Sequence, residues 1–132
     1  MTMIPVTFLA VDDVLAVHRR VIEEFGGDVG LRDRGLLESA VAMPRSTFDG
    51  RELHADLAEK AAAYFFHLCA NHPFVDGNKR VAVAAAELFL LINDRELVAA
   101  DDAVEELAMG VADGVLAKAQ VIAFFAAHVE RT

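Results

Sequence analysis

Residues 72–92 read HPFVDGNKRVAVAAAELFLLI, and this stretch decides both the fold and the place of the chemistry. Its second part, Val81 to Ile92, is apolar nearly all round, with Glu87 its one charged interruption. A helix that is apolar on every side must be buried by its neighbours. As a helix the segment would span about 18 Å, too short to cross a bilayer. It is therefore expected to be the central helix of a globular protein, with alanines that allow close packing. Its first part, His72 to Arg80, breaks the helical period. There His72, Asp76, Gly77, Asn78, Lys79 and Arg80 crowd between two apolar helices. Such a dense polar cluster beside a core is unfavourable unless it has partners.

Working outward, the helical period recurs on both sides. Val14, Leu15, Val17, Val21, Ile22 and Phe25 repeat mostly at spacings of three and four, an amphipathic helix opened by Asp12-Asp13 and closed by Gly26-Gly27. Met3 to Leu9 is expected to be briefly extended, and Asp28 to Asp33 to be a loop. Arg34 to Met43 reads as a short helix stopped by Pro44. Arg45 to Ala55 has no helical period and reads as an exposed loop of about eleven residues, long enough to carry a role. Asp56 to Ala70 is the helix that precedes the central one, with Leu57, Ala61, Tyr64, Phe65 and Leu68 on its apolar stripe. After Asn93-Asp94 the chain turns, and Glu96 to Val98 is expected to be extended. Asp101 or Asp102 can cap a helix to about Ala112, and Gly114 separates it from a last helix, Ala117 to Val129. The expected fold is all-α: a compact bundle of about six helices, one domain over residues 1–132, with at most a minor β element.

The chain has 132 residues, 55% of them hydrophobic, long enough to bury a core without staples. Its one cysteine, Cys69, lies in an apolar run and is expected to be a buried small hydrophobe. Twelve basic residues against twenty-one acidic ones give a net charge of −9, which opposes a general nucleic-acid-binding role. Met1 to Leu9 lacks a basic region followed by a long apolar stretch, so a cytoplasmic protein with no membrane attachment is expected.

The chemistry of residues 72–80 points to a bound anion. Gly77 permits a tight turn and close approach of the backbone to a ligand. The free N–H groups at the start of the following helix favour a phosphate. Lys79 and Arg80 add positive charge at that same helix end, where dipole logic alone would not place it. Arg80 can grip oxygens as a fork and Lys79 acts as a point charge. Asp76 is a hard carboxylate of the kind that holds magnesium beside phosphates. Asn78 can cap the helix or hold a phosphate or ribose oxygen. Histidine is the one residue type in this cluster with a reference pKa close to neutrality, which makes His72 the natural general base for a hydroxyl. Taken singly, His72 could serve only the helix dipole, Asp76-Gly77 only a turn and Asn78 only a cap.

The segment closely resembles the signature of the Fic/Doc family, in its Doc (death-on-curing) branch of toxins from type II toxin–antitoxin pairs. The resemblance extends to Gly30-Leu31-Arg32-Asp33, Gly35 to Ala40, Pro44, Leu57 and Glu59 to Ala62. Fic proteins that move AMP from ATP to protein hydroxyls carry a second glycine and a second arginine in the motif. Here Lys79 replaces that glycine, giving the Lys-Arg ending of the Doc branch, and Val83 stands in place of that arginine. Gly77 is the Fic-like choice where the Doc toxin usually described has alanine. The resemblance implies a kinase reaction: the terminal phosphoryl group of ATP passes to a Thr/Ser hydroxyl of a translation factor, elongation factor Tu, and translation stops. The alternatives are AMP or other nucleotidyl transfer, or a non-catalytic binding module. By matching positions, His72 would activate the hydroxyl and Asp76 would orient Mg2+ or stabilise the reacting groups. Asn78, Lys79 and Arg80 would bind the phosphates of ATP, with backbone donors after Gly77.

The resemblance also implies a partner, a small antitoxin whose disordered tail folds into a groove near the site. Leu9, Val11 and Val14 are candidate walls of that groove or equally core, and Arg19-Arg20 could meet an acidic tail or water. The loop Arg45 to Ala55 could position the target chain. His18, His54, His67 and His128 show no metal-ligand spacing and are expected to be structural or surface residues.

Overall fold

The computed structural model describes residues 5–132. Six helices form it: α1 Val11–Phe25, α2 Arg34–Ala42, α3 Leu57–Asn71, α4 Asn78–Ile92, α5 Asp101–Ala112 and α6 Lys118–His128. Two small antiparallel pairs complete it, β1 Thr47–Phe48 with β2 Arg51–Glu52, and β3 Arg95–Leu97 with β4 Val129–Arg131. The mostly helical architecture and the minor β content agree with the sequence pattern.

Helices α3 and α4 pack against each other as the central pair. Ala61, Ala62, Tyr64, Phe65, Leu68, Val81, Ala82, Ala85, Ala86 and Phe89 are all buried, in one hydrophobic cluster that reaches α1, α2, α5 and α6. The small residues are what let the two backbones approach closely. Helix α3 carries the wider range of neighbours, since it also meets α2 and α6. Helix α4 emerges from the core in its last turn, where Leu91 and Ile92 are exposed. Cys69 is buried, its Sγ 3.2 Å from the carbonyl of Ala108, and burial pushes the thiol up to about 11.

The ends of the helices follow local chemistry. Asp56 caps α3 by accepting from Glu59 N at 2.8 Å, and the Glu59 carboxylate reaches back past the cap to accept from Ala55 N at 3.1 Å. Asp33 caps α2 through Leu36 N at 2.9 Å. Neither Asp101 nor Asp102 caps α5: Ala100 is its N-cap, and the two acids form its first turn, where they favour the helix dipole. Of the expected extended segment at Met3 to Leu9, residues before Pro5 lie outside the described ones, and the rest joins no strand. Side chains hold it instead: Thr7 pairs with Asn93, and Leu9 N donates to the Tyr64 hydroxyl at 2.8 Å, a buried bond worth about 1 kcal/mol.

Two details correct the sequence-based expectations. The last helix stops at His128, because Val129 leaves it to pair with Leu97. The segment Arg45 to Ala55 is not irregular throughout. After a 3-10 turn at Met43–Arg45 it forms a hairpin whose corner, Asp49-Gly50, has φ of 53° and 76°. Positive φ at both corner residues suits an Asp-Gly pair. The base of this hairpin is anchored inside. Lys60, only 2% exposed, donates to the carbonyl of His54 and lies 3.5 Å from Glu52.

His54 and His67 lie near this anchor, and His54 Nδ1 and His67 Nε2 are buried without a hydrogen-bond partner among the described residues. Burial first, then the charge of Lys118, lowers both; His67 falls from 6.5 to about 4. Lys60 opposes the charge on His54 and Glu59 favours it. A histidine kept neutral in the fold but titrating normally when unfolded stabilises the fold fully above pH 6.5. That stability is lost as pH falls toward the folded value. Allowing for solvent screening of its partly open edge, His67 should remove about 1 to 2 kcal/mol between pH 7 and pH 5. Urea unfolding of the wild type and His67→Leu at both pH values checks this; an equal pH dependence in the two proteins would refute it.

Candidate active site

The loop after α3 is built by a backbone reversal. His72 is the C-cap of α3 and adopts left-handed φ 47°, ψ 56°, a region that non-glycine residues occupy at a cost and that clusters at functional sites. The carbonyls left unpaired at this helix end are taken by Arg32, whose Nη2 donates to Asn71 O at 2.8 Å and Nε to His72 O at 2.6 Å. A cation there also suits the negative end of the helix dipole. The segment Gly30 to Asp33 then lies along the loop as a strap. Arg32 N and Asp33 N donate to Pro73 O, Val75 N donates to Gly30 O, and Leu31 and Phe74 form an antiparallel bridge.

Beneath the loop, Phe74 is buried and its ring stacks on His18 of α1, centroids 3.8 Å apart and planes 7° apart. His18 Nε2 lies 2.9 Å from Asp76 O. A carbonyl can only accept, so this nitrogen carries the proton. Asn78 closes the loop on itself: its Oδ1 accepts from Phe74 N and its Nδ2 donates to Phe74 O, each at 2.9 Å. Asn78 therefore does not cap α4; it is the first helical residue, and Gly77 is the N-cap at φ 83°. This left-handed φ is what favours glycine, because a Cβ would meet Ile22 and Val21 only at an ordinary 3.4 Å.

The top of the loop is rich in unspent donors. The first amide of α4 with a backbone acceptor is Val81 N, bonded to Gly77 O at 2.9 Å. The amides of Asn78, Lys79 and Arg80 have none among the described residues, and they sit where the helix dipole is positive. Lys79 and Arg80 are exposed, and neither forms an ion pair or a side-chain hydrogen bond among the described residues. Asp76 is exposed, with one oxygen accepting from Asp28 N at 2.8 Å and the other without a partner among the described residues. The His72 ring is exposed and makes no hydrogen bond among the described residues. This donor set fits nucleotide phosphates, and the free Asp76 oxygen fits a single protein ligand to a magnesium ion that keeps waters and phosphate oxygens. No cluster of three or more His, Cys, Asp or Glu that could hold a metal unaided occurs among the described residues.

Comparison with known proteins gives the same direction. The Fic/DOC family model matches residues 8–90, a span that includes α1, the strap and the whole loop. The chain belongs to the Fic/Doc family. Toxin Doc of Mycolicibacterium smegmatis is 43% identical over 109 residues, covering 78% of this chain and 84% of that protein. Protein kinase doc of Escherichia phage P1 is 29% identical over 110 residues, covering 83% and 86%.

In this Fic/Doc chain the six residues singled out by sequence fall on one loop and the first turn of one helix. Three supporting residues were not singled out for the site. His18 stands four residues after Val14 and three before Val21, on the buried stripe of α1; a histidine on an apolar stripe was the available signal. Arg32 was noticed only within the resemblance, and Phe25 only as an apolar position, although it is 53% exposed. Of the proposed groove walls, Leu9 and Val14 belong to the core and Val11 is half-buried against it, while Arg19 and Arg20 are exposed. A separate cavity of about 740 Å³, lined by Phe8, Leu57, Arg95 and Arg131 among others, opens at the other end of α3 from His72. No helix among the described residues is long and apolar enough to cross a membrane.

Proposed function

We propose that this protein is the toxin of a toxin–antitoxin pair and transfers the terminal phosphoryl group of ATP to a Thr/Ser hydroxyl of a translation factor, elongation factor Tu first among the candidates. The observation that carries this reading is the start of α4. Lys79 and Arg80 offer cationic donors unpaired among the described residues, beside three amides equally unpaired, while position 83, one turn on, is the apolar and half-buried Val83. A nucleotide is thus gripped by one compact set of donors, with no second arginine to hold further phosphate oxygens. The kinase name of the phage relative points the same way.

In this mechanism His72 takes the proton of the target hydroxyl as its oxygen attacks the terminal phosphorus. The bond from that phosphorus to the bridging oxygen breaks, and ADP leaves with the electron pair. Arg32 holds the His72 backbone in its left-handed turn, which sets the direction in which the side chain leaves the loop. Arg80 and Lys79 neutralise oxygens on which charge builds, the main task in phosphoryl transfer. Asp76 would hold magnesium, which when bound neutralises phosphate charge. Asn78 contributes by fixing the loop. The partner would be a small antitoxin with a disordered neutralising tail, and the site of action the cytoplasm.

Intact-mass analysis of elongation factor Tu after incubation with the protein, ATP and magnesium tests the reading. Phosphoryl transfer adds about 80 Da to the target. A gain of about 329 Da would establish AMP transfer and overturn the kinase reading. No gain on this factor, with phosphate appearing on another component of the translation machinery, would replace the target but keep the chemistry.

A further inference from the structure

Of the two signature cations, Arg80 alone makes a cation–π contact among the described residues. Its guanidinium carbon lies 4.1 Å from the centre of the Phe25 ring, on the last residue of α1. We propose that Phe25 is a positioning residue for phosphate binding, an aromatic plate that fixes Arg80 by its face and leaves its edges to the ligand. The inference rests on the proposed use of the loop for ATP.

The argument is geometric. Guanidinium is planar, with its N–H donors lying in the plane and its faces free for stacking. A carboxylate partner would have spent those donors and cancelled the charge. Among the described residues no carboxylate lies within ion-pair distance of Arg80, and none of its N–H groups is bonded to protein. Stacking on Phe25 keeps the charge, restricts the side chain and leaves every donor available.

The surroundings of Phe25 support an assigned place for it. Gly26 follows at φ 82° and turns the chain. Gly27 then passes so close to Asp76 that a Cβ would stand 3.2 Å from the Asp76 Cβ, and Asp28 N bonds the Asp76 carboxylate. The same few residues thus press on Asp76 and place a ring under Arg80. Phe25 is also too open to be explained as core: it is 53% exposed, while the core aromatics Phe65 and Phe89 are fully buried.

The test is a double-mutant cycle on the full chain, with ATP–magnesium affinity by calorimetry and target phosphorylation as separate readouts. Phe25→Leu should weaken ATP binding and lower kcat/KM about three- to tenfold, with its thermal midpoint unchanged. Phe25→Trp should match or exceed the wild type, since tryptophan offers the stronger face. In an Arg80→Ala background, Phe25→Leu should add no further loss. Wild-type affinity in Phe25→Leu, or an equal loss with and without Arg80, would overturn the inference. ATP binding without transfer to any target would refute the proposed reaction while leaving Phe25 to be judged on affinity alone.

Discussion

His72→Ala should lose about 100- to 10,000-fold in target phosphorylation, the range associated with removing a general base, and should abolish growth arrest. The fold should survive. The His72 ring is exposed and bonds to nothing among the described residues, and what Arg32 holds is the backbone carbonyl, which any residue supplies. The one structural cost is conformational, because alanine is less at ease than histidine at φ 47°. His72→Asn controls for this, since asparagine tolerates the left-handed region and still supplies no base near neutrality. Both variants should bind ATP with nearly wild-type affinity, because the phosphate donors belong to α4. Loss of activity in both, with near-native unfolding curves, separates the base from the turn. A folded variant that still transfers phosphate at the wild-type rate would remove His72 from the mechanism.

How much of this was legible in the sequence depends on whether the cause was local. Glycine and proline punctuation is local chemistry, so the end of α1 at Gly26 and the stop after α2 near Pro44 followed from single residues. The central place of α4 followed from the apolar run after Arg80, whereas the equal share of the centre taken by α3 did not. Strand β3 was expected close to its place, but its partner β4 lies beyond two further helices, and nothing in Val129-Glu130-Arg131 alone forecasts the pairing. The hairpin at Thr47 to Glu52 was read as part of an exposed loop, because its flanks lack the alternation that marks strands. At the site, the residues that would touch a ligand were readable because their side-chain chemistry is out of place between apolar helices. The residues that hold them were not, because His18 and Phe25 on α1 and Arg32 on the strap meet the loop only through tertiary contacts.

Asn78 is where local reading and geometry part, and its replacement should have the second large effect. From sequence it was a cap or a phosphate ligand; in the fold both ends of its amide are engaged by Phe74 N and Phe74 O. Asn78→Ala strips one donor and one acceptor of the half-buried loop of their partner, and each unsatisfied group costs about 1 to 3 kcal/mol. Roughly 2 to 6 kcal/mol should therefore be lost from the unfolding free energy, a large part of what a chain this size has to lose. Asn78→Asp should recover little. Its carboxylate can still accept from Phe74 N, but its second oxygen then faces the carbonyl of Phe74 with no proton between them. Transfer activity should fall in both variants even where they remain folded, because the clamp sets the path from His72 to the first turn of α4. If Asn78 instead acts on the nucleotide directly, Asn78→Ala would keep its wild-type unfolding midpoint and lose ATP affinity alone. Denaturant unfolding beside calorimetric ATP binding, on the same preparations, distinguishes a residue that builds the site from one that touches the substrate.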